Sequence, residues 1–194
     1  AWTEATTEAR CLELGSDAAA AAIDEAIGRL GQRFDDTILI GGPPCQAYSL
    51  VGRARSRGKA DYVPEEDHRH YLFREYIRVL DRLRPAAFVM ENVKGMLSST
   101  VESRLVFEML MEDLASLGTG HGHHYELRAI RLADGRATLQ EAAKPSDFIV
   151  RAEEFGVPQR RHRVIIVGLR SDLAARAVGA SIAVSGATRT VEET

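Results

Sequence analysis

The sequence predicts an α/β layered fold with a mainly parallel sheet, and three observations predict it. Short apolar runs at Thr37–Ile40, Ala86–Met90 and Val164–Leu169 alternate with segments of helical period. The first two runs give way directly to polar chemistry, Gly41 to Gln46 and Glu91 to Val93. A chain of 194 residues with 45% hydrophobic and 27% charged residues suits one domain, or one and a fraction.

Ile23, Ile27, Leu30 and Phe34 recur at spacings of four, three and four, so Ser16 to Arg33 reads as a helix with an N-cap, weakened by Gly28 and Gly31. Thr37 to Ile40 reads as a buried strand stopped by Gly41-Gly42-Pro43-Pro44, with Cys45 on the loop that follows. Residues 46 to 70 lack apolar periodicity and read as a long, partly basic loop. Leu72, Tyr76, Val79, Leu80 and Leu83 mark an amphipathic helix that ends before Pro85. Ala86 to Met90 is a second buried strand, and a third helix covers about Val101 to Leu117 before Gly118, Gly120 and Gly122 break it. Tyr125 to Ile130 reads as a half-buried strand and residues 131 to 147 as a polar, irregular insertion. Glu153 to Arg161 reads as a loop and Val164 to Leu169 as an apolar strand; residues 171 to 194 carry no clear core signal. The expected division is a helical lead-in over 1–35, a core segment over 36–170 and a tail over 171–194.

Acidic residues number 28 against 25 basic ones, a net charge of −3, so a polyanion would have to be met by local charge. Only Lys59, Lys94 and Lys144 are lysines, which leaves 22 arginines, the better fork for phosphate and base edges. No run of about 18 apolar residues offers a membrane span. Cys11 and Cys45 are too few for a secreted disulfide scaffold, which favours a reducing cytoplasm, and they weaken any cysteine-based zinc site. Three loop histidines, His121, His123 and His124, have no partner cysteines and read as solvent-exposed, so no metal is expected.

In open α/β sheets, function collects beyond the carboxyl ends of the strands, where this reading places both Cys45 and Glu91. A lone Cys is more often a small buried hydrophobe. Two preceding prolines shift that balance, because they remove backbone donors, fix φ and hold the thiol at a loop entrance. Glu91 would by default be a surface charge, yet it directly follows Phe88-Val89-Met90, where burial would raise its pKa and make it an acid near neutral pH. Arg160, Arg161 and Arg163 would by default be a solvated run. Phe155 to Gln159 before them and an apolar strand after them pin them beside the core.

Gly41-Gly42-Pro43-Pro44-Cys45-Gln46, Glu91-Asn92-Val93 and Gln159-Arg160-Arg161-His162-Arg163, in that order, resemble three motifs of the DNA cytosine-5 methyltransferases: the nucleophile, Glu-Asn-Val and Gln-x-Arg-x-Arg. The stretch Asp67 to Arg84 resembles the segment that family carries between the first two. The likeness covers about Ile38 to Leu169. It implies a Rossmann-like S-adenosylmethionine-dependent methyltransferase fold, here without the N-terminal glycine-rich half and without a target-recognition region, since nothing before Ile38 offers a Phe-x-Gly-x-Gly pattern.

The resemblance also implies roles. Cys45 would be the thiolate that adds to cytosine carbon 6, Glu91 would protonate or hydrogen-bond N3, Arg163 would hold the cytosine carbonyl oxygen and Arg161 would help position the base and the loop. Asn92 would brace the Cys45 loop and the Pro43 carbonyl would accept the exocyclic amino proton. Gln46 and Ser49 are implied DNA contacts, on a loop that would serve as the lid over a flipped base. Pro44 and Leu72 would touch the methyl donor, S-adenosylmethionine. The implied partners are double-stranded DNA and a further segment or second chain that completes the donor site, in a prokaryotic cytoplasm or nucleoid. Two other readings stand beside this one: a non-catalytic methyltransferase-like DNA-binding or regulatory module, and a cysteine hydrolase, for which His68 and His70 are the candidate partners of Cys45.

Overall fold

The computed structural model of the chain describes residues 9–31, 34–43, 72–101, 103–117, 124–177 and 179–184. The first helix, α1, spans Asp17–Leu30; Ser16 caps it, its Oγ accepting the Ala19 N–H at 3.2 Å, and Gly31 at φ 62° ends it. Strand β1 is Ile38–Gly41, helix α2 is Leu72–Leu83 and strand β2 is Ala87–Val93. A two-strand ribbon of β3 (Thr100–Val101) and β4 (Arg104–Leu105) leads into α3, Val106–Ser116. The remaining strands are β5 (Tyr125–Ala133), β6 (Arg136–Glu141), β7 (Ile149–Arg151), β8 (His162–Arg170) and β9 (Ser181–Ala183), with a short α4 (Ser171–Ala174) between the last two. Among the described residues no helix is long and apolar enough to cross a membrane.

The main sheet has the order β1-β2-β8-β5-β6-β9, with β7 paired beside β8. It is not mainly parallel in its ladders: β1 and β2 pair in parallel and every other pairing is antiparallel. Because β8 runs against both β2 and β5, the strands β1, β2 and β5 nevertheless share one direction and β8 is the reversed strand among them. Apolar composition predicts burial and does not encode strand direction, so the reversal of β8 leaves no mark in the pattern.

One face of the sheet carries the core. Phe88 and Met90 of β2 and Val164 and Ile166 of β8 pack against Phe73, Tyr76 and Leu80 of α2 and Val106, Leu110 and Leu114 of α3. Phe88 stacks edge-on against both Tyr76 and Tyr125, with ring centroids 6.2 and 5.2 Å apart. Helix α1 joins α2 through charge, Asp24 pairing with Arg78 at 3.5 Å and Arg82 at 3.0 Å.

Four sequence expectations change. Among the described residues β1 is an edge strand rather than a buried one; Leu39 packs on the core, while Ile38 and Ile40, on the opposite face, are 60% and 74% exposed. The third helix starts at Val106 because the β3–β4 ribbon, turning at Ser103 (φ 65°), precedes it. Residues 131 to 147 are not irregular: Asp134 and Gly135, at φ 50° and 68°, close a two-residue hairpin between β5 and β6. The tail after 170 contains α4 and β9, and β9 extends the sheet at its far edge.

Candidate active site

The parallel register sets Gly41 beside Met90, and β1 stops there. β2 continues for three more residues, because β8 goes on pairing with it: Glu91 with Ile165, Asn92 with Val164 and Val93 with Arg163. Glu91-Asn92-Val93 therefore project past the end of β1 and stay in strand geometry, where the sequence alone had placed them beyond the strand. Gly42 and Pro43 leave β1 alongside this overhang.

Alternation along β2 and β8 sends neighbouring side chains to opposite faces. Glu91 and Arg163 share one face as diagonal cross-strand neighbours, and Arg163 Nε lies 2.8 Å from Glu91 Oε1. The contact is ionic; the Nε–H does not aim at that oxygen and has no aligned acceptor among the described residues. The guanidinium is also held from behind, its Nη1 donating to the His162 carbonyl at 2.8 Å. The Glu91 side chain is 44% exposed, so the burial expected for it is not found; the strand end opens to solvent because β1 stops one residue short of it. A Cβ at Gly42 would lie 3.1 Å from Glu91 Oε2, so residue 42 has to be small for the carboxylate to keep its place.

Asn92 faces the other way and is buried. Its Nδ2 donates to the Pro43 carbonyl at 3.2 Å, and its Oδ1 accepts the Val93 N–H at 2.8 Å. One side chain thus ties the exit of β1 to the overhang of β2. The Pro43 carbonyl has two lone pairs, and this bond uses one of them.

Tyr76 secures the same corner from beneath, a role its sequence pattern disguised as ordinary helix core. Its hydroxyl donates to the Leu39 carbonyl at 3.3 Å and the Val89 carbonyl at 3.2 Å, bridging β1 and β2. Burial first, and then the nearby Tyr125 hydroxyl, push its pKa well above the usual tyrosine value, so it stays a donor. A Cβ at Gly41 would stand 2.6 Å from its ring, and only glycine permits that approach.

The remaining expected residues divide into three groups. Pro44, Cys45, Gln46 and Ser49 lie outside the described residues, as do His68 and His70. Arg161 is exposed and is not joined to the Glu91–Arg163 pair, although its carbonyl accepts the Ala152 N–H at 3.0 Å and anchors the turn that precedes it. Leu72, at the first position of α2, lines a cleft of about 480 Å³ together with Glu13, Leu14 and Glu75. A second cavity, of about 420 Å³, lies between α1 and α2 and reaches Gly41, Gly42 and Pro43. The structure thus brings together Pro43, Glu91, Asn92 and Arg163. It adds Glu153, whose Oε1 lies 2.7 Å from His162 Nε2 and which the sequence had left in a loop.

Residues 22–193 match the C-5 cytosine-specific DNA methylase family. The type II methyltransferase M.Bpa9945I of Bacillus paralicheniformis is 38% identical over 136 residues, which are 70% of this chain and 26% of that protein. DNA (cytosine-5-)-methyltransferase M.ApeKI of Aeropyrum pernix is 35% identical over 147 residues, 72% of this chain and 28% of that one. Type II methyltransferase M.AquIA of a Picosynechococcus species is 34% identical over 133 residues, covering 69% and 43%. The chain therefore spans between about a quarter and two-fifths of the length of these relatives.

Proposed function

Because the chain belongs to the C-5 cytosine-specific DNA methylase family, we propose that it is the catalytic segment of a DNA cytosine-5 methyltransferase. The observation that carries this reading is the Glu91–Arg163 pair at 2.8 Å on the strand overhang, beside the loop that leads to Cys45. A carboxyl and a guanidinium on one face match two of the three polar positions along one edge of cytosine, N3 and the adjacent carbonyl oxygen.

Cytosine carbon 5 is a poor nucleophile. A thiolate added at carbon 6 turns the ring into an enamine and divides one hard step into easier ones. Cys45 is the thiolate in this reading, since the two prolines before it present it from a loop entrance. Glu91 supplies the proton or hydrogen bond at N3 that draws electron density out of the ring as sulfur attacks. Arg163 holds the carbonyl oxygen and keeps Glu91 aligned, and Arg161 orients the base from the exposed position just before β8. Asn92 fixes Pro43, whose carbonyl keeps a free lone pair for the exocyclic amino group that separates cytosine from thymine. Elimination of Cys45 after loss of the carbon 5 proton restores the ring and the enzyme.

A base inside a duplex cannot offer its face to a thiol. Flipping is required, at a cost of roughly a few kcal/mol, and Gln46 and Ser49 are the proposed contacts to the DNA left behind. With a net charge of −3, the loop arginines rather than the whole molecule would meet the phosphates.

S-adenosylmethionine, when bound, supplies the methyl group to carbon 5. The cleft at Leu72 offers part of a place for such a donor: Leu14 and Leu72 present apolar surface for a ring and Glu13 a carboxylate, while Glu75 is paired with Arg78 at 3.1 Å. Pro44 would join them from the Cys45 loop. The test is incubation of the protein with duplex DNA and methyl-labelled S-adenosylmethionine. Label recovered in 5-methylcytosine supports the reading. DNA binding without any transfer would instead favour a non-catalytic DNA-binding module.

A further inference from the structure

We infer that Glu153 is a positioning residue for the Glu91–Arg163 pair, acting through the ring and main chain of His162. Glu153 lies on the single 3-10 turn Ala152–Phe155 between β7 and β8, and His162 opens β8 opposite Arg151 of β7. The Glu153 side chain is 18% exposed, and its Oε1 sits 2.7 Å from His162 Nε2. The His162 carbonyl in turn receives Arg163 Nη1 at 2.8 Å, and Arg163 Nε stands 2.8 Å from Glu91 Oε1. One unbroken path of contacts runs from a largely buried carboxylate to the half-exposed one on the strand overhang.

Each link has a directional consequence. A carboxylate only accepts, so the proton of the His162 ring must reside on Nε2, which fixes the ring's orientation. The Glu153 carboxyl is held below the usual carboxylate range, first by its own backbone N–H and then by the His162 ring, so it remains an acceptor at neutral pH. The Ala152 N–H donates to the Arg161 carbonyl at 3.0 Å, which pins the other side of the same turn. With ring and backbone both fixed, the His162 carbonyl becomes a rigid backstop for Arg163. Among the described residues Arg163 Nε has no aligned acceptor, so this backstop and the ionic contact with Glu91 together set where the guanidinium sits.

This inference rests on the proposed base-holding role of Glu91 and Arg163, so its test carries one readout independent of activity. The Arg163 Nε–H resonance is followed by NMR in the full chain as wild type, Glu153→Ala, Glu153→Gln and His162→Ala. Methyl transfer to duplex DNA is measured in parallel. The resonance is expected to move in Glu153→Ala and His162→Ala and to stay near its wild-type position in Glu153→Gln, because glutamine keeps an acceptor for Nε2–H. The kcat should fall roughly 10- to 100-fold in the two alanine variants, with KM for DNA changed less than about twofold, and should recover largely in Glu153→Gln. An Arg163 resonance unmoved in both alanine variants, or alanine and glutamine variants equally impaired, overturns the inference. Should Glu153→Ala fail to fold, His162→Ala carries the same expectation. A wild-type protein that transfers no methyl group would sink the functional reading, and the Arg163 resonance would still decide the positioning.

Discussion

Glu91 and Asn92 are consecutive in β2 and face opposite ways, one toward Arg163 and the other toward Pro43. That division yields two separable predictions. Glu91→Gln keeps the size and an amide but delivers no proton to N3, so the methyl-transfer rate should drop by roughly the 10²–10⁴ of a lost general acid, measured by single-turnover kinetics. Retention of more than about half the rate would return Glu91 to the role of a strand-end charge. Asn92→Ala removes a buried donor and acceptor, strands the Val93 N–H and frees Pro43; it should cost about 1–3 kcal/mol in urea unfolding. A change below about 0.5 kcal/mol would mean that Asn92 does not hold the corner. At this scale the sequence was informative because motif residues announce themselves by type, and the structure joins Glu91 to Arg163 and Asn92 to Pro43. Tyr76 and Glu153 were hidden for a physical reason. A tyrosine at helical spacing is indistinguishable from core, and the partner of Glu153 becomes visible only when β7 and β8 pair.

Strand ends decide where the candidate site lies, and they were only partly legible. The apolar run Ala86–Met90 correctly located a strand, but its extension to Val93 depends on β8 as a partner, and a partner contributes no local periodicity. The helices were easier, because Ser16 as a cap and the Leu72–Leu83 spacing are encoded within each segment. The β5–β6 hairpin was missed despite a strong local signal, Asp134-Gly135, since the charged and small residues around it obscured the alternation. Beyond that hairpin, Asp147 holds the chain in place. Burial works against its charge, but the Ala143 N–H at 2.9 Å, Arg131 at 2.6 Å and the Lys144 N–H at 3.1 Å outweigh it and keep the carboxyl below the usual range. A carboxyl whose folded-state pKa is depressed stabilises the protein above the ordinary Asp value and loses that contribution as pH falls through the lowered one. The thermal midpoint should therefore decline on acidification below about pH 4, and Asp147→Asn should flatten that part of the profile. An unchanged acid limb in Asp147→Asn would assign the loss to other carboxylates.

Across the whole molecule, the sheet is dressed on one face by α2 and α3 and ends at β1 in a strand with two exposed isoleucines. The alternation of apolar runs with helical segments foretold an α/β core. Strand direction was not foretold, because hydrophobicity does not record it. In the proposed reading Leu72 and its cleft are the described residues that would touch the methyl donor, and the sequence has no glycine-rich turn before Ile38. Calorimetric titration of the chain with S-adenosylmethionine should accordingly show weak binding. A dissociation constant near 1 μM, about −8 kcal/mol, at one site per chain would contradict this and locate a fuller donor pocket within these residues. The most direct test of the central claim is a covalent trap. The protein is incubated with duplex DNA carrying 5-fluorocytosine and saturating S-adenosylmethionine, and the product is digested and mapped by mass spectrometry. Fluorine blocks the final loss of the carbon 5 proton, so the account predicts a stable DNA adduct on Cys45 that disappears in Cys45→Ala while DNA binding remains. DNA bound without any adduct, or an adduct that survives Cys45→Ala, would contradict it.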